Sequence, residues 1–121
     1  MKVMVTGAAG FIGYHVSKQM LERGDDVIGL DSLNSYYDVK LKTDRLSHLQ
    51  QNKRFRFVQL DLADSEGVAQ QFKDIRPARG IHLAAQAGVR HSMVDPAAYV
   101  NSNLVGFVNV MEGCRHSGVE H

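Results

Sequence analysis

Three glycines lie between a short apolar segment and an amphipathic segment, at Gly7, Gly10 and Gly13. Their spacing of i, i+3 and i+6 is typical of a loop that binds the pyrophosphate of a dinucleotide. The first glycine permits a tight turn, and the second lets backbone N–H groups approach the pyrophosphate. The third lets the following helix pack closely on the sheet. Glycine turns without a ligand are also common, so the three glycines alone leave both interpretations open.

Asp31 favours the dinucleotide interpretation. It follows the second apolar segment, 18 residues after Gly13, where a carboxylate can accept hydrogen bonds from the hydroxyls of the adenosine ribose. The alternative is a solvated turn residue. Residues 32–35 contain no Arg or Lys to neutralise a 2′-phosphate, so the sequence predicts NAD rather than NADP as the cofactor.

The elements that must position the loop and Asp31 alternate between strand and helix. This order predicts right-handed crossovers and an α/β fold, a Rossmann-like parallel sheet with helices on both faces. The predicted strands are residues 2–5, 27–30, 55–60 and 81–84, and the predicted helices are 11–23, 39–49, 65–75 and 97–116.

The fourth strand has a less typical strand pattern than the first three. Ala78, Arg79 and Gly80 precede strand four, where a buried parallel strand normally has β-branched residues. We expect residues 1–121 to form the N-terminal part of one NAD-binding Rossmann domain, truncated after about four strands. Strand four would then be an exposed edge unless another chain, as in a homo-oligomer, or a rearrangement covers it.

Composition excludes several other classes of protein. The 14 Lys and Arg against 13 Asp and Glu give a net charge of +1, which argues against nucleic-acid or anionic-membrane binding. No run approaches the roughly 18 apolar residues of a membrane span. The single cysteine, Cys114, forms no intrachain disulfide, so we expect a reducing, cytoplasmic location.

Three segments resemble the extended short-chain dehydrogenases, which include the nucleotide-sugar epimerases and dehydratases. They are Thr-Gly-Ala-Ala-Gly-Phe-Ile-Gly at 6–13, Leu-Asp-Leu at 60–62 and His-Leu-Ala-Ala-Gln-Ala-Gly at 82–88. Within this group, residues 31–38 and 87–92 look most like UDP-glucuronate 4-epimerases. The resemblance covers the whole chain but only the first part of a typical family member.

The resemblance implies a path for the cofactor along the sheet. One polar residue among Asn101, Ser102 and Asn103 would also reach toward the cofactor, and Asn103 is alternatively structural. Arg90 would lie near the cofactor phosphates or the sugar nucleotide, the alternative being a solvated loop charge. The implied contacts are Gly7, Gly10, Phe11, Ile12 and Gly13 for the pyrophosphate, Asp31, Asn34 and Ser35 for the adenosine ribose, Asp61 and Leu62 for the adenine, and Leu83, Ala84 and Ala85 for the nicotinamide side.

In the resembled family, a Tyr and a Lys four residues apart and a Ser or Thr deprotonate the sugar 4-hydroxyl while hydride passes to NAD. We expect no catalytic residue within this chain. Two Tyr-x-x-x-Lys strings occur, at residues 14–18 and 36–40, but they follow strands one and two, away from the nicotinamide end. The chain would therefore be inactive alone.

The other chemical groups have simpler explanations. The six histidines show no metal-ligand spacing, Cys114 is expected to pack on the last helix, and the charges at residues 40–42 and 53–56 are expected to be solvated. The leading hypothesis is the NAD-binding portion of a nucleotide-sugar 4-epimerase acting on UDP-glucuronate. The alternatives are part of a 4,6-dehydratase or reductase, and a non-catalytic NAD-binding module.

Overall fold

A computed structural model describes all 121 residues, and its centre is one sheet of four parallel strands. The spatial order is β3-β2-β1-β4, so the chain moves outward from β1 to β3 and then returns to the other side of β1. This confirms the predicted Rossmann-like parallel sheet, of which four strands are present. The strands are β1 (Lys2–Thr6), β2 (Asp26–Asp31), β3 (Phe55–Gln59) and β4 (Arg79–His82).

Six helices and one π-helical segment surround the sheet. The π-helical segment (Val100–Val105) joins two α-helices end to end. No helix combines the length and the apolar character that crossing a membrane requires. The helices are α1 (Phe11–Glu22), α2 (Val39–Gln50), α3 (Ser65–Ile75), α4 (His91–Val94), α5 (Pro96–Tyr99) and α6 (Gly106–Ser117).

Each face of the sheet is covered by its own apolar core. Alternate residues of a strand point to opposite faces, and β1 shows this directly: Val3 and Val5 belong to one buried cluster, whereas Met4 belongs to the other. The first cluster includes Leu21 of α1 and Leu46 of α2. The second includes residues of α3 and α6, so helices lie on both faces as predicted.

The strand register brings the carboxyl ends of the strands to one edge. Thr6, the last residue of β1, is paired with Leu30 on one side and with His82, the last residue of β4, on the other. Asp31, the last residue of β2, is paired with Gln59 at the end of β3. The loops that leave all four strands therefore meet along one edge of the sheet.

The predicted position of strand four was wrong by two residues. The strand spans Arg79–His82 rather than 81–84, because the backbone N–H groups of Leu83 and Ala84 both donate to the hydroxyl of Thr6, each at 3.1 Å. The N–H of Leu83 also donates to the backbone carbonyl of Thr6 at 3.3 Å, whereas that of Ala84 is bonded to the Thr6 side chain alone, so the ladder with β1 ends at Leu83. Gly80 fits within the strand despite its missing side chain.

The expected exposed edge of strand four is also partly corrected. The backbone N–H of Glu120 donates to the carbonyl of Ala78 at 2.9 Å, and that of Gly80 donates to the carbonyl of His121 at 3.0 Å. Residues 119–121 thus lie beside β4 and satisfy part of its outer edge. Gly118, with φ of +68°, ends α6 and makes this return possible.

The predicted fourth helix, 97–116, is interrupted. The stretch from Pro96 to Ser117 stays helical, but Gly106 donates its N–H to the carbonyl of Asn101, five residues earlier, which widens the helix by one residue. The sequence also gave no indication of α4. An apolar period near 3.6 residues is typical both of a regular α-helix and of an α-helix that contains one π-helical turn. The sequence therefore did not predict the π-helical turn.

Candidate functional site

A cavity of about 690 Å³ opens at the edge where the four strands end. It lies where the strand order reverses between β1 and β4, the place at which open α/β sheets bind ligands. We call the part beside β2 and α2 the β2 end, and the part beside residues 83–87 and the π-helical segment the β4 end. Thirteen of the predicted contacts line it: Gly7, Gly10, Phe11, Ile12, Gly13, Asp31, Asn34, Asp61, Leu62, Leu83, Ala84, Ala85 and Ser102.

The glycine loop is closed so tightly that two of its positions accept no side chain. A Cβ on Gly13 would lie 1.9 Å from the carbonyl oxygen of Gly7, so α1 packs directly on the loop backbone. Gly7 has φ of +71°, and a Cβ there would lie 2.9 Å from the backbone nitrogen of Ala84. Gly10 is the N-cap of α1 without any side-chain cap, which leaves the first-turn N–H groups of the helix free for an anion.

The Asp31 carboxylate is buried and bound by backbone. Its Oδ2 accepts the N–H of Ala9 at 3.1 Å, and its Oδ1 accepts the N–H of Leu33 at 2.8 Å. These two bonds tie the end of β2 to the glycine loop. A carboxylate has about four acceptor positions, so Asp31 retains capacity for a ligand that donates hydrogen bonds within the cavity.

Lys42 and Arg45 were missed by the sequence analysis. The charges at residues 40–42 were expected to be solvated, and for Lys42 this was wrong: its side chain is 9% exposed, and its Nζ lies 3.6 Å from Oδ1 of Asp31. Arg45 donates from Nη1 to the carbonyl of Ala9 at 3.2 Å. Both line the cavity, because α2 places residues three apart on one face.

Thr6 joins the glycine loop to the β4 end. Its hydroxyl oxygen accepts two backbone N–H groups, so its one proton is donated to Nδ1 of His82, at 2.7 Å. His82 is therefore the neutral tautomer with its proton on Nε2. Burial lowers the pKa of His82, which agrees with this neutral form.

The π-helical segment separates the roles of three consecutive polar residues. Asn103 accepts the N–H of Gln86 at 2.7 Å and donates to the carbonyl of the same residue at 3.1 Å, so it holds the loop after β4. Ser102 lines the main cavity, and Asn101 lines a second cavity beside it. Of the three residues that the sequence left open, only Ser102 lines the main cavity.

Asn109 is a further residue that the sequence analysis did not identify. It lies on α6 and donates from its side chain to the carbonyl of Leu62 at 2.7 Å. A Cβ on Gly106, one turn earlier, would lie 3.1 Å from Cβ of Leu62. The close approach of α6 thus fixes the loop that follows β3. A polar residue within a helix of apolar periodicity was the only indication in the sequence.

Two predicted contacts do not line the main cavity. Ser35 lines the second cavity, which holds about 780 Å³ and includes Tyr36 and His91. Arg90 immediately precedes α4. It is exposed and lines neither cavity. The geometry of the chain therefore gives no support for assigning these two residues to the cavity.

The two Tyr-x-x-x-Lys strings are not arranged as catalytic pairs. Tyr14 bonds to Nδ1 of His48, whereas Lys18 lies 3.8 Å from Glu22. In the second string, Lys40 bonds to Asp44 at 3.0 Å, whereas the ring of Tyr36 packs on His91 with centroids 4.8 Å apart. In both strings the lysine is engaged by a carboxylate on its own helix and does not contact the tyrosine hydroxyl.

The single cysteine has the packing role that the sequence predicted. Cys114 is half-buried against the core beneath α6, and burial raises the pKa of its thiol. A raised pKa keeps the sulfur protonated and weakly nucleophilic. No group of three His, Cys, Asp or Glu side chains is placed to hold a metal ion.

Comparison with known proteins identifies relatives of the same architecture. UDP-glucuronate 4-epimerase 4 of Arabidopsis thaliana is 50% identical over 113 residues, which cover 93% of this chain and 26% of that protein. The UDP-glucose 4-epimerase of Thermus thermophilus, solved with NAD, superposes with a TM-score of 0.83 at 40% identity, covering 99% of this chain and 35% of that one.

A variant of UDP-glucuronic acid 4-epimerase from Bacillus cereus gives a TM-score of 0.89 at 34% identity, covering 99% of this chain and 38% of that one. It was solved with NAD and UDP-4-deoxy-4-fluoro-glucuronic acid. The chain thus spans about a third of the length of the proteins that it matches. The family model described as GDP-mannose 4,6 dehydratase matches residues 4–121, and the chain belongs to this family of the extended short-chain dehydrogenase type.

Proposed function

We propose that these residues are the NAD-binding portion of a nucleotide-sugar 4-epimerase that acts on UDP-glucuronate. The observation that carries this proposal is the cavity at the switch point, where the glycine loop and the Asp31 carboxylate line the same space. The UDP-glucuronate 4-epimerases among the relatives support the substrate. NAD would supply reversible oxidation of a sugar alcohol.

The residues present fit a dinucleotide. Gly10 lines the cavity beside the uncapped start of α1, so a pyrophosphate would meet backbone N–H groups and the positive end of the helix dipole. Asp31 would accept hydrogen bonds from the adenosine ribose. Leu62 would bound the adenine, and Ala84 would face the nicotinamide side.

Three further predicted contacts belong to the same proposal. Phe11 and Ile12 would cover the pyrophosphate from the first turn of α1, and Ser102 would donate to the cofactor from the π-helical segment. Each of them lines the cavity. Within these 121 residues we assign no catalytic residue, because neither tyrosine of the Tyr-x-x-x-Lys strings is paired with its lysine.

A second candidate is supported by the name of the matching family model. A nucleotide-sugar 4,6-dehydratase would use the same cofactor cavity. The two candidates share oxidation of a sugar alcohol but differ in the substrate and in the following step, because a 4,6-dehydratase needs a C6 hydroxyl as leaving group and UDP-glucuronate has a carboxylate at C6. We also propose a cytoplasmic location, which the unpaired Cys114 supports, and self-association of the protein.

The proposal is tested by titrating NAD into the chain and into its Asp31→Ala variant, with calorimetry as the readout. We expect saturable binding to the unchanged chain and a loss of about 1–3 kcal/mol in the variant, because charge-accepting hydrogen bonds are removed. Asp26→Ala is the matched control, since Asp26 lies at the opposite end of β2 and is exposed. Circular dichroism would verify that each variant is folded.

Equal NAD affinity in the Asp31→Ala and Asp26→Ala variants would remove Asp31 from the site. Absence of NAD binding by the folded, unchanged chain would overturn the proposed function as a whole. In a parallel assay we expect no conversion of UDP-glucuronate by these 121 residues, and turnover would show that a catalytic group has been overlooked.

A further inference from the structure

The loop that follows β3 presents one donor and one acceptor beside the main cavity. Asp61 and Leu62 both line this cavity. The backbone N–H of Leu62 makes no hydrogen bond within the chain, although the residue is buried. The Asp61 carboxylate uses Oδ1 to accept the N–H of Ala63 at 2.9 Å, and its Oδ2 has no partner in the chain. An unpaired donor next to an unpaired acceptor suits a ligand edge that carries both kinds of group.

The peptide group between Leu62 and Ala63 is held on both sides. Its carbonyl oxygen accepts the side-chain amide of Asn109 at 2.7 Å, and its N–H is the group that donates to Asp61. Because a peptide group is planar, the first bond restrains the direction of the second. Hydrogen bonds in such a chain also polarise one another, so the bond from Asn109 strengthens the bond to the carboxylate. The orientation of the Asp61 carboxylate therefore depends on Asn109.

The packing of α6 places Asn109 against this loop. A Cβ on Gly106 would lie 3.1 Å from Cβ of Leu62, and Val110 belongs to the same buried cluster as Leu62. Residues three and four positions apart lie on one face of a helix, so Gly106, Asn109 and Val110 all face the loop. The apolar contacts hold α6 in place without the amide, so the role of the amide can be tested separately from that of the helix.

We propose that Asn109 is a positioning residue for the purine base of the dinucleotide, acting through the Leu62–Ala63 peptide on the Leu62 N–H and the Asp61 carboxylate. The inference rests on the proposed binding of NAD in this cavity. Adenine carries an exocyclic amine next to a ring nitrogen that accepts, so its edge matches an acceptor next to a donor. Hypoxanthine carries a carbonyl oxygen next to a ring N–H, which is the reverse pattern, and its oxygen would face a carboxylate.

The test compares NAD with nicotinamide hypoxanthine dinucleotide, which differs from NAD only in the base. Calorimetric titration of the unchanged chain with each dinucleotide gives the ratio of the two affinities. We expect NAD to bind at least about tenfold more tightly, because the hypoxanthine edge leaves a donor and an acceptor unpaired.

Asn109→Leu keeps the approximate size of the side chain but removes its donor. We expect the affinity for NAD to fall about tenfold and the affinity for the hypoxanthine dinucleotide to change by less than about twofold. The ratio of the two affinities should therefore approach one. A purely structural role for Asn109 predicts equal losses for both dinucleotides, because a displaced loop or a partly unfolded chain weakens both.

Val108→Thr is the matched control. Val108 precedes Asn109 on α6 and is 50% exposed, and threonine keeps the shape of its side chain. We expect both affinities, and hence their ratio, to stay unchanged. Circular dichroism verifies that each variant is folded. If Asn109→Leu does not fold, Asn109→Ala takes its place, with the same expected ratio.

Three outcomes would overturn the inference. They are an unchanged chain that binds both dinucleotides with equal affinity, an Asn109→Leu variant that keeps the ratio of the unchanged chain, and an equal fall in this ratio from Val108→Thr. Failure of the unchanged chain to bind either dinucleotide would instead reject the proposed function.

Discussion

The two ends of the cavity are built from different kinds of interaction. At the β2 end, the charged side chains Asp31 and Lys42 are buried beside each other, and the Asp31 carboxylate accepts the N–H of Ala9 in the glycine loop. At the β4 end, the neutral side chains of Thr6 and Asn103 accept backbone N–H groups of the loop that follows β4 and so hold it in place. The β2 end is therefore built around buried charges, whereas the β4 end is held by neutral hydrogen bonds.

The same contrast appears in the exposure of apolar side chains. Beyond the β4 end, Val89, Met93 and Val94 are 87%, 86% and 82% exposed. At the β2 end, Leu30 and Leu46 are almost fully buried. The apolar side chains at the β2 end are therefore packed, whereas those beyond the β4 end are exposed to solvent.

The largest expected effect comes from a substitution in the glycine loop, Gly13→Ala. This substitution tests whether the tight packing at the start of α1 is required. Helix propensity alone predicts that Gly13→Ala stabilises the helix by about 1 kcal/mol. The new Cβ would, however, lie 1.9 Å from the Gly7 carbonyl oxygen, so we expect a net loss of about 3 kcal/mol in the free energy of unfolding. Urea denaturation measures it.

Gly80→Ala is the matched control for Gly13→Ala. Its Cβ would meet only the Cys114 sulfur, at 3.8 Å, so its stability should stay within about 0.5 kcal/mol of that of the unchanged chain. If both variants unfold at the same urea concentration, the packing of α1 on the loop is less rigid than the structure indicates.

An intermediate effect on stability is expected at Thr6, which joins the glycine loop to the β4 end of the cavity. Thr6→Val keeps the shape of the side chain but leaves the N–H of Ala84 without its acceptor, so we expect a loss of about 1–3 kcal/mol in the free energy of unfolding. Thr6→Ser keeps the hydroxyl and should retain most of the stability. Chemical denaturation of both variants measures the difference, and equal losses would show that the methyl group of Thr6 matters as much as its hydroxyl.

The smallest effect is a pH dependence at the β4 end. Burial lowers the pKa of His82 in the folded chain, so the unfolded chain takes up a proton first, near the ordinary pKa of about 6.5. The free energy of unfolding should therefore fall as the pH drops from about 7 through this value. The loss should level off once the folded chain also binds the proton.

Denaturation of the unchanged chain and of the His82→Gln variant at several pH values isolates the contribution of His82 to the pH dependence of the free energy of unfolding. The physical cause is the burial of the imidazole ring, which disfavours its charged form. Identical pH profiles for the two proteins would contradict the assignment, because His82 would then contribute no difference in proton uptake between the folded and unfolded chains.

Much of the fold and of the β2 end was predictable from local sequence. Strand and helix periodicities gave the α/β architecture, and α3 was predicted at its observed bounds, Ser65–Ile75, where the Asp64 side chain accepts the N–H of Gly67 as a cap. The glycine loop and Asp31 were identified because their spacing follows from the geometry of a strand, a turn and a helix.

The β4 end was less predictable for a physical reason. The end of β4 is set by the hydroxyl of Thr6, which lies 77 residues before Leu83 in the chain. The choice among Asn101, Ser102 and Asn103 is set by a π-helical turn and by a hydrogen bond to Gln86. Neither contact leaves a local pattern in the sequence.

The sequence by itself determined the element order, the turn at the glycine loop and the acidic residue at the end of β2, because these depend on short-range spacing and backbone conformation. Only the tertiary structure decided that Lys42 is buried against Asp31, that Arg45 reaches Ala9 and that Asn103 holds the loop after β4. A charged residue on a helix looks the same in sequence whether its side chain faces solvent or a cavity. The packing of α2 against the sheet determines which of the two it faces.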